Sequence, residues 1–343
     1  MSERYAPVGW NVTKIVYDAV ALAVIGVYIS VFLWVAPSFQ HVTLPLDEYT
    51  MRMNAFGTCA FLLLSVILSI GPATRLDPRF LPLLYNRRHF GVLTAAVATT
   101  HAYAALDWYF SYGPYDRFEM LLRGNTSFSQ TQGFPFEIFG IFSLLVLFLL
   151  AATSHDFWLR FLTPPLWKAL HMTLYAAYLS VVAHISLGAL QAAQNPFLAV
   201  VVGFCVVGVA ALHVAASRRR ATEAALMDGW LDAGPAEAIG EDLGVVVTPP
   251  NAESIAVFRH AGRLSAVTNL CAHQNGPLAE GRVIDGCITC PWHGYQYRFE
   301  DGCAPPPFTE TLATFQLRIV DGRVWVDPVP KPPSTVVTPV PVP

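Results

Sequence analysis

The chain has 343 residues, of which 54% are hydrophobic and only 13% charged, with a formal net charge of −3. An ordinary soluble domain carries about 25% charged residues, so a wholly soluble protein and a disordered one are both excluded. The small negative charge argues against nucleic acid as a partner. Six cysteines in a chain of this length are not a disulfide scaffold. Four of them, Cys271, Cys287, Cys290 and Cys303, lie in the C-terminal part and point to a metal site there.

In chain order, six apolar stretches are long enough to cross a bilayer, which takes about 20 residues. They are 14–36, 53–71, 89–109, 137–153, 166–190 and 196–216. The first holds Asp18, the third His101, the fifth His171 and His184, and Arg218-Arg219-Arg220 stop the sixth. After them the sequence reads as short β strands. The expected organisation is a transmembrane domain over 1–217, a linker over 218–229, a β domain over 230–328 and a Pro- and Val-rich tail over 329–343. Such a tail reads as extended and poorly packed. The fold class is thus multidomain: a six-helix transmembrane α bundle followed by a small all-β domain.

Lys and Arg in the connections set the orientation. With the N-terminus inside, the inner segments carry Arg4, Lys14, Arg75, Arg79, Arg87, Arg88, Arg160, Lys168 and Arg218 to Arg220. The outer loops carry only Arg52, Arg117 and Arg123. The N-terminus and the β domain are expected in the cytoplasm, the protein itself in a membrane, with a bacterial inner membrane as the natural setting.

The β domain holds the most specific motif. Cys271-Ala-His273 is followed, after sixteen residues, by Cys290-Pro-Trp-His293-Gly294. Two Cys-plus-His pairs on two loops are the ligand set of a Rieske [2Fe–2S] cluster: thiolates on one iron, and two imidazoles on the other that raise its potential. The competing reading is a four-ligand zinc site, for which Cys287-Ile-Thr-Cys290 has the spacing. The single residue inside the first pair, with Pro291 and Gly294 in the second, favours the cluster. Cys287 then reads as a buried strand residue and Cys303 as a loop thiol.

A histidine inside a membrane helix is costly and marks function by default. His171 and His184 are thirteen residues apart, about 20 Å of helical rise, and His89 and His101 are twelve apart, about 18 Å. The third and fifth stretches run in the same direction, so His89 matches His171 in depth, and His101 matches His184. Each pair suits one haem iron, held from opposite sides. The angular offset at these spacings needs tilt or a bulge, and a hydrogen bond to a neighbouring helix is the plain alternative for each ring. For His89 the neighbouring Arg87 and Arg88 make a headgroup-level position a further alternative. His213 reads as a headgroup or propionate neighbour, and His41, His155 and His260 as loop or strand residues.

The region 230–328 resembles the Rieske ferredoxin family, as found in free ferredoxins and ring-hydroxylating oxygenases. Ile255-Ala-Val-Phe258, Leu264-Ser-Ala-Val267, Asn269-Leu-Cys271 and Asp301-Gly302 support the likeness. The respiratory type has two further loop cysteines where this chain has Gly276 and Trp292, and a serine donor to the cluster where it has Tyr295. That resemblance implies fewer hydrogen bonds to the cluster and a low potential.

Arg87-Arg88-His89-Phe-Gly91 leading to His101, and Trp167-Lys168-Ala-Leu-His171 leading to His184, are similar to the ferric-reductase-like transmembrane cytochrome b family. This likeness covers about 50–215 and implies one or two b-type haems that carry electrons across the membrane. The chain shows no Gly-x-Gly-x-x-Gly after a strand, so the Rieske domain stands where other members carry flavin and nicotinamide modules.

Together these readings give an electron conduit. A cytoplasmic reductase or ferredoxin donates, and an outer-face acceptor or quinone receives, with a periplasmic partner reductase as the expected consumer. A self-sufficient membrane reductase of ferric iron, oxygen or quinone is the second reading, and a redox or haem sensor the third.

Overall fold

The computed structural model describes residues 12–39, 45–80, 83, 87–111, 116–154, 164–192, 196–218, 226–249, 252–273, 276–292 and 294–343. His41, His155, Arg160 and the expected ligand His293 lie outside the described residues. By chain contacts, the structure divides into one unit of Val12–Ala73 with Asn86–Ala216 and another that contains Ser217–Pro343.

The first unit is helical. Its elements are α1 Val12–Phe39, α2 Pro45–Leu76, α3 Arg87–Ser111, α4 Arg117–Arg123, α5 Glu137–Thr153, α6 Pro164–Leu187, α7 Ala189–Ala192 and α8 Phe197–Arg218. Proline opens α2 and α6, where its missing N–H costs nothing. Asp116 caps α4 by accepting from the Phe118 and Glu119 N–H groups.

Four helices among the described residues are long and apolar enough to cross a membrane: Ile15–Val35, Glu48–Leu76, Ala169–Gln191 and Phe197–Arg218. The stretches expected as third and fourth spans also form helices. The third, on α3, is 25 residues long, but its histidines and threonines dilute its apolar character. The fourth, α5, is apolar but has 17 residues. The chain is an integral membrane protein with a helical N-terminal part.

Helices α2, α3, α5, α6 and α8 share a core of Phe61, Leu64, Leu68, Ala95, Leu147, Tyr178, Val202 and Val209. Polar bonds stitch it: Ser143 Oγ donates to the Ala177 carbonyl at 3.0 Å, and Ser180 Oγ to the Phe139 carbonyl at 3.0 Å. Helix α1 turns Val20, Val24, Val27 and Val31 outward, as a lipid-facing helix does. It joins its neighbours through a Tyr28 to Thr58 hydrogen bond of 2.9 Å and through Asp18.

The second unit is a small β domain. Its strands are β1 Leu226–Met227, β2 Trp230–Pro235, β3 Gly244–Val247, β4 Ile255–His260, β5 Arg263–Thr268, β6 Arg282–Ile284, β7 Cys287–Thr289, β8 Gln296–Arg298, β9 Thr314–Phe315, β10 Leu317–Val320, β11 Arg323–Val326 and β12 Val340–Pro341. They form sheets of order β1-β2-β11-β10 and β12-β5-β4-β3, with β9 beside β5, and a three-stranded sheet β6-β7-β8. Neighbours pair antiparallel throughout. Between β6 and β7, Asp285 and Gly286 both have positive φ, the mirror-image turn whose twist matches a two-residue hairpin. That turn fixes the register that delivers Cys290 at the end of β7.

One expectation is corrected. The tail is extended but not poorly packed. Val340 pairs with Leu264, the Val337 N–H donates to the Glu300 carbonyl at 3.1 Å, and Val337 is buried. Proline confines such a segment to a sheet edge, and its valines fill the face it covers.

Candidate functional site

In the β domain, two loops bring the cysteines together. The first leaves β5 and the second joins β7 to β8. Within the first, the Cys271 N–H donates to the Gly276 carbonyl at 2.9 Å. In the second, the Cys290 N–H donates to the Tyr295 carbonyl at 2.8 Å, and the Gly294 N–H to the Cys290 carbonyl at 2.9 Å, with Gly294 at positive φ. Cys271 and Cys290 are almost fully buried, and neither forms a disulfide. A Cβ on Gly276 would lie 2.7 Å from Cys290 Sγ and 3.2 Å from the Trp292 ring, so this glycine keeps open the space between the loops. Two buried thiols with a loop histidine beside a cradle that tolerates no side chain fit a [2Fe–2S] cluster. Cys287 is buried on β7, and Cys303 follows β8 and is half-buried.

Aromatic groups line this end of the domain. The His273 ring stacks on Tyr295, with centroids 4.6 Å apart and planes 7° from parallel. The Tyr295 hydroxyl donates to the Glu310 carboxylate. The Tyr297 hydroxyl lies 3.3 Å from Cys271 Sγ and accepts from the His273 N–H at 3.2 Å. Burial, and then the neighbouring Cys271 sulfur, push this hydroxyl well above its ordinary range, so it stays protonated, and toward a Cys271 thiolate, which only accepts, it is the donor. Motif reading missed Tyr297, which sets beside Cys271 Sγ a hydroxyl that the expectation of few hydrogen bonds did not include. The signal for it was a tyrosine two residues after Tyr295 on an alternating strand.

In the helical unit, the structure brings His101 of α3 to His184 of α6. Their ring centroids are 6.2 Å apart, with planes at 82°. His101 Nδ1 lies 2.9 Å from the Met53 carbonyl, and His184 Nδ1 lies 3.0 Å from the Phe136 carbonyl. A carbonyl only accepts, so each Nδ1 carries the proton and each Nε2 keeps its lone pair for a metal. Glycines face both rings: a Cβ on Gly57 would lie 2.8 Å from His101, and one on Gly140 2.9 Å from His184. Two facing imidazoles 6.2 Å apart, each with Nε2 left to donate and a glycine opposite, are a donor set that would hold one metal ion. The pair fits haem.

His89 Nδ1 lies 2.7 Å from the Asp18 carboxylate. His171 sits on α6, half-buried. His213 uses both nitrogens, Nδ1 toward the Val209 carbonyl at 2.9 Å and Nε2 toward the Tyr175 hydroxyl at 3.0 Å, which leaves it no lone pair for iron. His260 bonds Asp242 from β4. Gly57 and Gly140 are the helical partners that sequence reading did not assign, whereas Asp18, an isolated carboxylate for which a helix contact is the expected role, makes that contact with His89. A further polar cluster joins the Tyr109 hydroxyl and the Asn125 amide to the buried Glu137 carboxylate.

Comparison with known proteins agrees with this division. A model of the Rieske [2Fe-2S] domain matches residues 230–316, and a model of the ferric reductase like transmembrane component matches 55–182. The anthranilate 1,2-dioxygenase ferredoxin subunit of Burkholderia cepacia is 38% identical over 109 residues, 31% of this chain and 97% of that protein. The chlorophyllide a oxygenase of Oryza sativa subsp. japonica is 35% identical over 91 residues, 25% of this chain but only 17% of that protein. Among solved structures, the Sphingomonas yanoikuyae B1 ferredoxin is 27% identical over 29% of this chain and 97% of its own, with a TM-score of 0.27.

Proposed function

We propose, on the premise that this chain belongs to the Rieske [2Fe-2S] family through its C-terminal domain and carries a ferric reductase like transmembrane component ahead of it, that the protein is a transmembrane electron conduit. Cys271, His273, Cys290 and His293 hold the cluster. His101 with His184, and His89 with His171, hold b-type haems. Cluster and haems supply one-electron chemistry, and the protein supplies binding, orientation and tuning. Six spans form the membrane domain, the N-terminus and the Rieske domain face the cytoplasm of a bacterial inner membrane, and the boundaries are those given above. Electrons come from a cytoplasmic reductase or ferredoxin and leave to quinone or to an acceptor at the outer face, where a periplasmic partner reductase consumes them.

The observation that carries this reading is the facing of His101 and His184, each with Nδ1 occupied by a carbonyl and each opposite a glycine. Gly57 and Gly140 give the rings room, Met53 and Phe136 hold their planes, and the apolar helices exclude water. In the β domain, Tyr297 donates toward Cys271 while Tyr295 holds the His273 ring flat.

The test is cofactor stoichiometry: pyridine haemochrome with non-haem iron quantitation on purified full-length protein. Two haems b and two non-haem irons per chain support the whole scheme. One haem removes His89 as a ligand. No haem sinks the conduit and leaves a membrane-anchored Rieske ferredoxin.

A further inference from the structure

The helical histidines divide by what their Nδ1 touches. His101 and His184 meet peptide carbonyls, at 2.9 and 3.0 Å. His89 meets the carboxylate of Asp18, at 2.7 Å. A carbonyl is a neutral dipole. A carboxylate draws the ring proton toward itself, gives the imidazole more anionic character and makes its other nitrogen the stronger donor. A stronger donor favours the oxidised metal and lowers its reduction potential. The Asp18 side chain is 17% exposed and the His89 side chain 30%, so water screens their interaction only in part.

The asymmetry comes from topology. Asp18 is on α1, whereas Met53 is on α2 and Phe136 immediately precedes α5. The first helix reaches the inner histidine of α3 through Asp18.

We propose that Asp18 is a positioning residue that lowers the potential of the haem held by His89, so that electron flow between the two haem sites runs from the cytoplasmic side outward. The proposal rests on the four-histidine reading above. In the transfer one electron leaves the lower-potential site and enters the higher, with no bond made or broken and no proton moved. A cytoplasmic one-electron donor refills the first site.

The experiment is an optical redox titration of the full-length protein, with haem counted first. The wild type is expected to hold two haems with separate midpoints. Asp18→Asn keeps an acceptor for the ring but removes the charge, so the lower midpoint rises and the higher stays. Asp18→Glu restores the lower value. Tyr28→Phe, which loosens α1 without touching His89, leaves both in place. An Asp18→Asn protein whose lower midpoint does not move, or whose higher one moves instead, overturns the role of Asp18 while the conduit stands. A wild type with one haem overturns the four-histidine reading and this inference with it, and the count alone reveals that. His89→Ala gives an answer that does not depend on how the Asp18 variants fold. The haem it loses must be the lower-potential one; loss of the other refutes the proposal.

Discussion

Tyr297 sets one hydroxyl against a sulfur of the proposed metal centre. It is fully buried, lies 3.3 Å from Cys271 Sγ and is held protonated by its surroundings. A donor to a ligand sulfur withdraws charge and stabilises the reduced cluster, whose extra electron makes that sulfur more negative. Tyr297→Phe keeps the ring and removes the donor. A hydrogen bond to a charged group contributes roughly 1.5–3 kcal/mol, and if about 1 kcal/mol of that differs between oxidation states, the midpoint falls by about 40 mV. Protein-film voltammetry reads the shift directly, and an unchanged midpoint would remove Tyr297 from the tuning of the cluster. Glycine acts at the same scale by leaving space. Gly57 and Gly140 each hold a place where a methyl group would lie under 3.0 Å from an imidazole that is pinned through Nδ1.

At the scale of elements, much was legible because the relevant residues are close in sequence. Cys271 and His273 share one loop, Cys290 and Gly294 another, so spacing alone identified them. The depth match of His101 with His184 was also legible, since helical rise needs only counting. The partners were not. Asp18 and His89 are 71 residues apart, and Tyr297 meets Cys271 across 26. Such contacts depend on which helix packs on which and on strand register, neither of which a local pattern specifies. The tail was misread for a related reason. Its prolines suggested loose structure, but they suit an edge strand whose partner, β5, lies more than seventy residues earlier in the chain.

Strand-to-strand electrostatics give a prediction at this scale. Asp232 of β2 pairs with Arg323 of β11 and accepts from the Gly234 N–H at 2.9 Å. Partial burial pushes its carboxyl up, but the Arg323 and Gly234 bonds outweigh this and hold it below its ordinary value of 3.8. A lowered folded-state value stabilises the domain fully above pH 3.8, and that contribution is lost as pH falls through the folded value. Acid unfolding of wild type and Asp232→Asn is therefore expected to show a stability gap at neutral pH that closes below 3.8. A gap that persists at lower pH would mean that the pair acts through packing, not charge.

At the scale of the whole molecule, charge asymmetry and apolar length together give a testable topology. The connections with many Lys and Arg residues alternate with those that have few, and translocation disfavours positive charge. The loop around Phe128 belongs to the poor set, and Phe128 is 76% exposed. Val246 lies on β3 of the Rieske domain and is 49% exposed, with its side chain on the surface of that unit. Phe128→Cys and Val246→Cys each add one accessible thiol to a chain whose own cysteines are buried or half-buried. In intact cells a membrane-impermeant maleimide is expected to label Phe128→Cys above the unmodified chain, and to reach Val246→Cys only after the membrane is opened. The reverse pattern would place the Rieske domain outside. The cluster and His89, which the proposed six spans put on one side, would then both face outward, and the gradient proposed for Asp18 would carry electrons inward from an extracytoplasmic donor. The order of the haem potentials fixes the direction of flow relative to the Rieske domain and sidedness fixes it relative to the cell, so the direction across the membrane follows from the two measurements together.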